Sequence, residues 1–407
     1  MRVAVLAEWY PSPADRVLGV WAHRQALAAR DAGADVRVVA MRRPLPPLHA
    51  VRALARGDGA AARAWGAGVA GHLRSFELDG IAIRAAPFVS LPRPVSYGTW
   101  GWWMALPAAL ALGRLHRAWP FEVLHVHNLV PGAHAALPWL ARRRPAGRPA
   151  LVASTHGPDI IRDIHRSRFS RAAGRAVFDA ADLVMANSTW AARRCEEIAG
   201  RALPGAVVHL GADVPAEPAP RTGAVLITVA HLVARKRHAA VLHALAALPG
   251  GVDWRWVVVG DGPERAALEA LARQLGLGAR VAFRGQLDHS GALEEVRRAD
   301  VFVMPGVEEP FGVAYVEAMA AGLPAIGLRG EGGPEDIAAA GEGFVRVEPD
   351  NPAELSAVLA ALLGDGAERR RLGDAARATV REHFTWEHCG RATVAAYARA
   401  LEAVDGR

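Results

Sequence analysis

The sequence predicts an α/β protein built from two successive parallel sheets. Apolar segments with the length of buried strands alternate with helical segments along both halves of the 407-residue chain, and this alternation is typical of parallel sheets with right-handed crossovers. A chain of this length is expected to form two domains rather than a single core. The segment 215–220 marks the boundary because it holds three prolines in six residues.

Strands and helices follow in order through the first half. We predict an early amphipathic helix at 20–32. Five strands are predicted, at Val3–Ala7, Asp35–Ala40, Val123–His127, Ala150–Thr155 and Leu183–Ala186. Residues 44–75 are rich in Ala, Arg and Gly and predict poorly defined helix and loop. The apolar segment 100–112 contains Pro107 and is too short to span a membrane. We expect it in the core, with a position on a membrane surface as the alternative.

The second half repeats the alternation. It predicts five more strands, at Val225–Ala230, Trp256–Gly260, Val281–Phe283, Val301–Met304 and Ala325–Gly327. Helices are predicted between them, including 239–248 and 313–321. Gly322 and Pro324 end the second of these helices. The last helix is predicted from Trp386 to Ala403.

Composition and charge narrow the class of protein. The hydrophobic fraction of 52% and the charged fraction of 22% fit a packed globular protein. The two cysteines are far apart in sequence, match no metal spacing and predict reduced thiols, so we expect a cytoplasmic protein. Residues 1–7 are too few for the apolar region of a signal peptide.

Charge is distributed unevenly between the halves. Residues 1–200 hold 26 arginines against 14 acidic residues, whereas residues 201–407 hold 22 basic against 27 acidic residues. A basic first half favours contact with an anionic membrane surface or a phosphorylated acceptor, and so a peripheral position at the inner face of the membrane. Nucleic acid is the competing partner, but no recognition motif is present.

Two glutamates flank the start of a predicted helix. Glu309 lies in the loop after the strand 301–304, and Glu317 lies just over one turn into the helix. The backbone at Phe311, Gly312 and Val313 forms the helix start, where amide groups and the helix dipole favour an anion. Carboxylates for hydroxyl groups beside a phosphate site are the chemistry that holds a nucleotide sugar. Two solvated glutamates beside an ordinary turn are the alternative.

The chain contains a single lysine, Lys236, against 47 arginines. A retained ammonium indicates a site that needs a compact point charge, and chance retention is the alternative. Lys236 lies in the loop His231–Arg237, between a buried strand and a helix.

The motif Glu309-Pro-Phe-Gly, with a second Glu eight positions after the first, resembles retaining glycosyltransferase family 4, which has the GT-B architecture. The resemblance implies two Rossmann-like parallel-sheet domains facing a central cleft. It implies that Glu309 contacts the donor sugar, that Glu317 binds ribose and that Lys236 grips the diphosphate. His231 stands where the family has an arginine, and Arg235 or Arg237 could replace that cation.

Further donor-side residues come from the same resemblance. His156, in His-Gly-Pro-Asp, is expected near the reacting sugar, and a structural histidine is the alternative. Asp159 is expected to orient a neighbour or to cap the next helix. Gly19 matches the family's glycine-loop position, where a missing Cβ admits phosphate, with a plain loop glycine as the alternative. Arg284 and Gly285 are expected to face the nucleobase.

The resemblance also implies a domain plan. Residues 1–214 form the acceptor-side domain, 215–222 the linker and 223–385 the nucleotide-sugar domain. The final helix, within 386–407, packs back onto the first domain.

The implied activity is transfer of a hexosyl group, with retention, from a nucleoside diphosphate sugar to a hydroxyl of a glycan, lipid-linked or small-molecule acceptor. UDP is the first expectation and GDP the second. No Asp-x-Asp triplet occurs in the sequence, so we expect no metal and no cofactor, the nucleotide sugar being a substrate. The alternatives are a sugar-nucleotide epimerase and a non-catalytic sugar-nucleotide-binding protein. A nicotinamide oxidoreductase is disfavoured because it would need Gly-x-Gly-x-x-Gly after the first strand, and residues 3–10 contain no glycine.

Overall fold

The computed structural model describes residues 1–13, 15–44, 55–60, 73–91, 96–143, 147–217 and 224–406, with single positions between 61 and 72. The chain divides into two compact units. Unit 1 comprises Met1–Val208 and Cys389–Arg407, and unit 2 comprises His209–His388. Each unit contains its own largely parallel sheet with helices. The predicted fold class, two Rossmann-like α/β domains, is therefore confirmed.

Unit 1 is built on eight described strands in the order β3-β4-β2-β1-β5-β6-β7-β8. The strands are β1 (Arg2–Ala7), β2 (Asp35–Arg42), β3 (Phe76–Leu78), β4 (Ile81–Pro87), β5 (Val123–His127), β6 (Ala150–Thr155), β7 (Leu183–Ala186) and β8 (Gly205–Val207). All neighbours pair in parallel except β3 and β4, which are antiparallel. The strand order reverses between β1 and β5, so the carboxyl ends of these two strands form the crevice where open α/β sheets bind ligands.

The helices of unit 1 cover the sheet with apolar side chains. They are α1 (Val20–Asp31), α2 (Trp100–Ala118), α3 (His134–Ala141), α4 (Pro158–Ile161), α5 (Arg168–Ala180) and α6 (Thr189–Ala199). Met104 and Leu112 of α2 and Trp139 of α3 pack in one cluster with Leu124 and Val126 of β5. The predicted segment 100–112 thus lies in a longer helix that buries one face in the core.

The last helix, α14 (Trp386–Asp405), is divided between the units, with its residues from Cys389 onward in unit 1. Gly390 approaches α1 so closely that a Cβ would lie 2.2 Å from the carbonyl oxygen of Ala28. Farther along, the hydroxyl group of Tyr397 lies 2.8 Å from Nδ1 of His125 in β5. A close backbone approach and a buried polar contact therefore fix this helix to unit 1.

Unit 2 has a six-stranded parallel sheet with the order β11-β10-β9-β12-β13-β14. Its strands are β9 (Val225–Val229), β10 (Arg255–Val259), β11 (Val281–Gly285), β12 (Val301–Val303), β13 (Ala325–Leu328) and β14 (Phe344–Val347). Its helices are α7 (His238–Ala246), α8 (Arg265–Gln274), α9 (His289–Arg297), α10 (Val313–Ala320), α11 (Gly332–Ala340), α12 (Pro352–Gly364) and α13 (Gly366–His383). The order reverses between β9 and β12, which places a second crevice at the carboxyl ends of those strands.

The predicted strands in the buried sheets agree with the structure to within two residues at each end. The sequence analysis missed β3, β4, β8 and β14, which are short or half-exposed and lack the long apolar pattern of a central strand. Residues 45–54 of the predicted irregular segment 44–75, and residues 218–222 of the predicted linker, lie outside the described residues.

Candidate active site

Lys236 and Glu309 are 73 residues apart in sequence and meet in unit 2. Lys236 ends a 3₁₀ turn that follows β9, and Glu309 lies in the loop after β12. Because β9 and β12 are parallel neighbours, both loops leave the same edge of the sheet, and Val307 N–H donates to the carbonyl of Arg235 at 2.8 Å. The Lys236 ammonium donates to the Glu309 carboxylate. Both residues are buried, with 8% and 7% of their surface exposed.

Arg235 adds a second positive charge to this pair. Its Nη1 lies 3.8 Å from Oε2 of Glu309 and donates to the carbonyl oxygen of Glu308 at 3.3 Å. The side chain is 40% exposed, so its guanidinium reaches solvent. One buried ammonium and one accessible guanidinium therefore both approach Oε2 of Glu309.

The loop that carries Glu309 is held by the start of α11. Glu331 accepts a hydrogen bond from the backbone N–H of Glu309 at 3.0 Å, and Gly333 N–H donates to the Glu309 carbonyl at 3.1 Å. A Cβ at Gly333 would lie 1.9 Å from the carbonyl oxygen of Phe311. Burial raises the pKa of Glu331. Glu331 was not among the residues selected from the sequence.

Helix α10 begins directly after this loop. Gly312 precedes it with φ of 86°, and a Cβ there would lie 2.4 Å from the ring of Tyr315. The Tyr315 hydroxyl donates to the carbonyl of Met304 after β12, and burial raises the pKa of this phenol well above its ordinary value. The start of α10 at Val313 is therefore fixed beside Glu309, with the positive end of its dipole at the crevice.

Phe311, predicted on the donor side, has its ring in the core. The ring is 1% exposed and stacks on His209 with 5.4 Å between ring centroids. It also packs against Phe384, with 5.9 Å between centroids. Any contact of Phe311 with a ligand is thus left to its backbone.

Glu317, in the second turn of α10, is paired with a histidine that sequence analysis missed. Nε2 of His289 lies 2.7 Å from Oε1 of Glu317. Asp288 caps α9 by accepting a hydrogen bond from Gly291 N–H at 2.8 Å, which fixes His289 at the first position of that helix. The sequence signal for it was the Asp288 cap followed directly by an imidazole.

The remaining predicted donor residues of unit 2 form no hydrogen bond or ion pair with Lys236 or Glu309 among the described residues. Nε of Arg284 lies 3.5 Å from Oε2 of Glu295 on α9, and the Arg284 side chain is largely exposed. Gly285 has φ of 76° and bridges to Gly260. His231 is exposed, and within the described part of unit 2 no hydrogen bond joins its ring to another residue.

In unit 1, His156 lies against another histidine at the carboxyl end of β5. Nδ1 of His127 and Nε2 of His156 are 2.9 Å apart, and the Trp21 ring lies 3.9 Å from the His156 ring between centroids. Burial lowers the pKa of His156 to about 3, and burial with the neighbouring His125 and His156 lowers the pKa of His127 well below its ordinary value.

Both rings are therefore neutral at physiological pH. One of the two facing nitrogens donates to the other, so one of the outer nitrogens must carry the remaining proton. These outer atoms, Nε2 of His127 and Nδ1 of His156, are buried and have no hydrogen-bond partner among the described residues. The pair thus presents one N–H donor and one acceptor. Sequence analysis identified His127 only as the end of a strand.

Asp159 fixes the turn that carries His156. Its carboxylate accepts hydrogen bonds from Thr155 Oγ1 at 2.7 Å, from Gly157 N–H at 3.1 Å and from Leu129 N–H at 3.0 Å. Gly157 precedes α4 and no side chain at that position caps the helix. Asp159 both holds the turn and accepts the N–H of Gly157 at the start of α4. Burial raises the pKa of Asp159.

Gly19 precedes α1 with φ of 73°, and a Cβ there would lie 2.3 Å from the carbonyl of Trp9. Glycine is thus required at this position because the backbone lies too close to the loop after β1 to admit a Cβ. Beside it lies a cavity of about 220 Å³ at the carboxyl ends of β1, β2 and β4. Its lining combines aromatic, charged and aliphatic side chains, namely Glu8, Trp9, Leu18, Met41, Arg42, Arg43, Phe88 and Trp100.

The chain has two α/β units, each with a crevice where its strand order reverses. The second unit holds a lysine–glutamate pair beside a helix start. These are the features of a GT-B glycosyltransferase. The family model described as "Glycosyltransferase Family 4" matches residues 18–215, and the one described as "Glycosyl transferases group 1" matches residues 212–379. The chain belongs to glycosyltransferase family 4.

Curated relatives carry the same class of activity in their names. A GDP-mannose-dependent monoacylated α-(1-6)-phosphatidylinositol monomannoside mannosyltransferase of Corynebacterium glutamicum is 30% identical over 65% of this chain and 74% of its own length. An uncharacterized glycosyltransferase of Methanocaldococcus jannaschii is 34% identical, but the match spans 36% of this chain and 37% of that protein.

Solved structures show the same fold. Sucrose-phosphate synthase from Thermosynechococcus elongatus superposes with a TM-score of 0.77 at 19% identity, over 99% of this chain and 100% of that one. The Anabaena protein HepE in complex with UDP and glucose gives a TM-score of 0.67 at 20% identity, over 97% and 98% of the two chains.

Proposed function

We propose that this glycosyltransferase moves a hexosyl group, with retention of anomeric configuration, from a nucleoside diphosphate sugar to a hydroxyl group. The acceptor belongs to a glycan, a lipid-linked saccharide or a small molecule. Unit 2 binds the donor and unit 1 binds the acceptor.

The observation that carries this proposal is the Lys236–Glu309 pair beside the start of α10. A buried ammonium is unusual unless a carboxylate or another anion compensates it. A diphosphate that reached the crevice would compete with Glu309 for Lys236 and would find Arg235 and the α10 dipole on the same side. Release of Glu309 from Lys236 would free its carboxylate to accept hydrogen bonds from donor-sugar hydroxyl groups. The pair thus holds both groups in place before the donor arrives.

Glu317 is assigned to the ribose of the donor. It lies in the second turn of α10, so a nucleotide with its phosphates at the start of that helix would have its ribose near this carboxylate. His289, at 2.7 Å from Glu317, fixes the rotamer of the carboxylate and leaves its second oxygen for a ribose hydroxyl. Arg284 and Gly285, on the strand that leads towards α9, remain the proposed contacts of the nucleobase.

UDP is our first proposal for the nucleotide and GDP the second. The Anabaena neighbour was solved with UDP, whereas the corynebacterial relative is named for GDP-mannose. The latter protein acts on a phosphatidylinositol mannoside, which favours a lipid-linked acceptor for the present chain. The aromatic faces and charged groups of the unit 1 cavity suit a hydroxylated ring, because sugars stack on indoles and bond to carboxylates and guanidinium groups.

The proposed step breaks the bond between the anomeric carbon and the β-phosphate oxygen. The acceptor oxygen bonds to that carbon on the same face, and its proton passes to the departing phosphate oxygen. Lys236, Arg235 and the start of α10 stabilise the negative charge that develops on the diphosphate. The neutral His127–His156 pair supplies a fixed N–H donor, which we assign to an oxygen of the reacting sugar.

Thermal unfolding in the presence of nucleoside diphosphates and their sugar conjugates tests this function. A ligand that binds only the folded state raises its stability, so we expect UDP or GDP to raise the unfolding temperature and the adenine analogue to do so less. Slow hydrolysis of the matching sugar nucleotide should follow, with water as acceptor. A protein that is not stabilised by any nucleotide would contradict the assignment, and one that epimerises the donor would support the alternative activity.

A further inference from the structure

Helix α2 has two apolar faces, and only one of them is covered. Trp100, Met104, Ala108 and Leu112 are buried in the core of unit 1. On the opposite side Trp102, Trp103, Leu106 and Leu110 are exposed, with 67% of Leu106 and 49% of Trp102 accessible to solvent. A spacing of three or four positions aligns these four side chains along one side of the helix. A row of large apolar side chains in water indicates a binding surface.

A neighbouring helix extends this surface. Phe169, near the start of α5, is 48% exposed, and its ring centroid lies 6.1 Å from that of Trp102. The turn that precedes α2 packs closely on α5 at Gly98, where a Cβ would lie 2.1 Å from Oγ of Ser170. We call Trp102, Trp103, Leu106, Leu110 and Phe169 together the apolar face.

Arginines border the apolar face. Arg114 and Arg117 follow Leu110 along the same side of α2, and both are exposed. On α5, Arg168, Arg171 and Arg175 are exposed at intervals of three and four positions, and the Arg168 guanidinium lies 4.9 Å from the ring centre of Phe169. No acidic residue occurs in the sequence between 89 and 118 or between 166 and 178. Asp179, one turn beyond Arg175, is paired with Arg201 at 3.0 Å. The border along these two segments is therefore basic.

We propose that the apolar face is a surface by which unit 1 lies on an anionic lipid bilayer. Indole rings favour the headgroup region of a bilayer, and leucines favour the boundary with the acyl chains. Arginines at the rim would bind lipid phosphates. None of the helices in the described part of the chain has the length and hydropathy of a membrane span.

Charge decides against a second copy of this chain as the occupant. A symmetric dimer would pair the apolar face with itself and bring two arginine borders together, and like charges across an interface are unfavourable. An anionic surface satisfies the apolar face and its border at once. The proposal involves neither the Lys236–Glu309 pair nor the unit 1 cavity, so it can fail while the proposed function holds.

Co-sedimentation with vesicles tests the proposal. We expect the protein to sediment with vesicles of phosphatidylcholine and phosphatidylglycerol in equal parts and to remain in solution with phosphatidylcholine alone. The double variant Trp102→Ser/Leu106→Ser should bind the anionic vesicles at least about tenfold more weakly, because two interfacial anchors are removed. Arg168→Gln and Arg171→Gln should each weaken binding about fivefold, and added salt should act in the same direction.

Matched controls separate this surface from general effects. Val207→Ser removes an exposed apolar side chain of β8, and Arg273→Gln removes an exposed arginine of α8; both should bind the anionic vesicles like the parent. Stabilisation by the nucleotide should persist in every variant, which shows that the variants are folded. The proposal is overturned if the parent ignores anionic vesicles, or if the double variant binds them equally. Sedimentation velocity showing a dimer that Trp102→Ser/Leu106→Ser abolishes would assign the face to a second copy instead.

Discussion

At the scale of single residues, the buried ammonium of Lys236 is the most specific feature of the site. The chain uses arginine at its 47 other basic positions. A guanidinium is broader than an ammonium and spreads its charge over a plane. The contact of Lys236 with Glu309 lies in a narrow space between two loops, with the Lys236 side chain 3.4 Å from the position that a Cβ on Gly306 would take. A compact point charge fits that space, which explains why lysine is retained there.

Replacement of Lys236 should therefore lower donor turnover and donor binding more than replacement of Arg235. Lys236→Ala removes the buried charge that faces the diphosphate, and we expect turnover to fall about a hundredfold or more, as when an oxyanion donor is lost. Arg235→Ala should have a smaller effect because its guanidinium is partly solvated. Donor hydrolysis and calorimetric binding of the nucleoside diphosphate measure both. Equal activity of Lys236→Ala and the parent would remove Lys236 from the site.

The two glutamates should separate in a binding experiment. Glu317→Ala should weaken binding of the free nucleoside diphosphate about tenfold, because a ribose hydroxyl loses a charged acceptor. Glu309→Gln should bind the nucleoside diphosphate at least as well as the parent, since the diphosphate no longer competes with a carboxylate for Lys236. Its turnover of the sugar nucleotide should fall. The opposite pattern by titration calorimetry would reverse the two assignments.

Buried neutral histidines should make the protein sensitive to acid. Burial lowers the pKa of His125 and of His156 to about 3, from an ordinary value of 6.5. Between these values the unfolded chain binds more protons than the folded one, so the free energy of unfolding falls as pH falls, by up to about 1.4 kcal/mol per pH unit for each group. Calorimetry between pH 7 and 5 should show a shallower dependence for His156→Gln. The exposed His243→Gln is the control, and an unchanged slope in His156→Gln would contradict this account.

At the scale of elements, the conformation of the loop that carries Glu309 depends on the close approach of α11 to residues 309–311. Hydrogen bonds from Gly333 and to Glu331 hold the backbone of Glu309 on both sides. The approach is possible because Gly333 has no Cβ. The position of Glu309 is thus set by a helix that follows it in sequence by more than twenty residues.

Gly333→Ala should displace this loop. A Cβ 1.9 Å from the carbonyl oxygen of Phe311 cannot be accommodated without movement of the backbone. We expect a loss of about 1–3 kcal/mol in the free energy of unfolding together with weaker binding of the nucleoside diphosphate. Gly364→Ala, at the end of α12 with no atom within 4 Å of the new Cβ, should be neutral or stabilising. Denaturant unfolding and calorimetry compare the two, and normal nucleotide binding by Gly333→Ala would show that the loop does not depend on α11.

At the scale of the whole molecule, each unit places its candidate residues at the reversal of its own strand order. In unit 1, Gly19 lies in the loop after β1, His127 is the last residue of β5 and His156 follows β6; in unit 2, the loops after β9 and β12 carry Lys236 and Glu309. Under the proposed function, the cations of unit 2 and the neutral histidine pair of unit 1 predict how the reaction responds to chelation and which anomer it gives.

Activity should survive EDTA, because Lys236, Arg235 and the start of α10 supply the positive charge for the leaving diphosphate. The product should keep the anomeric configuration of the donor, since the acceptor attacks on the face that the diphosphate leaves. NMR of the purified reaction measures both. An inverted product would contradict the proposed mechanism even with the fold established, and loss of activity on chelation that a divalent metal restores would reveal a metal requirement.

Local pattern in the sequence was sufficient for the central strands and for the motifs themselves. Val123–His127, Ala150–Thr155 and Leu183–Ala186 were predicted with the bounds that the structure shows, because strands buried on both faces are rich in apolar residues. Glu309, Glu317 and Lys236 could be selected because their neighbours in sequence define the strand-to-helix loops that carry them. Edge strands such as β3 and β14 were missed because half-buried segments of three or four residues carry little pattern.

Contacts between distant segments were decided only by the tertiary structure. The pairing of Lys236 with Glu309 follows from the adjacency of β9 and β12, and the pairing of His127 with His156 follows from that of β5 and β6. His289 and Glu331 gained their roles from helices that approach α10 and its loop in space. The sequence by itself determined which side chains have the chemistry to bind a nucleotide sugar. Strand order decided which of them meet, because neighbours in a parallel sheet are separated in sequence by whole crossover helices.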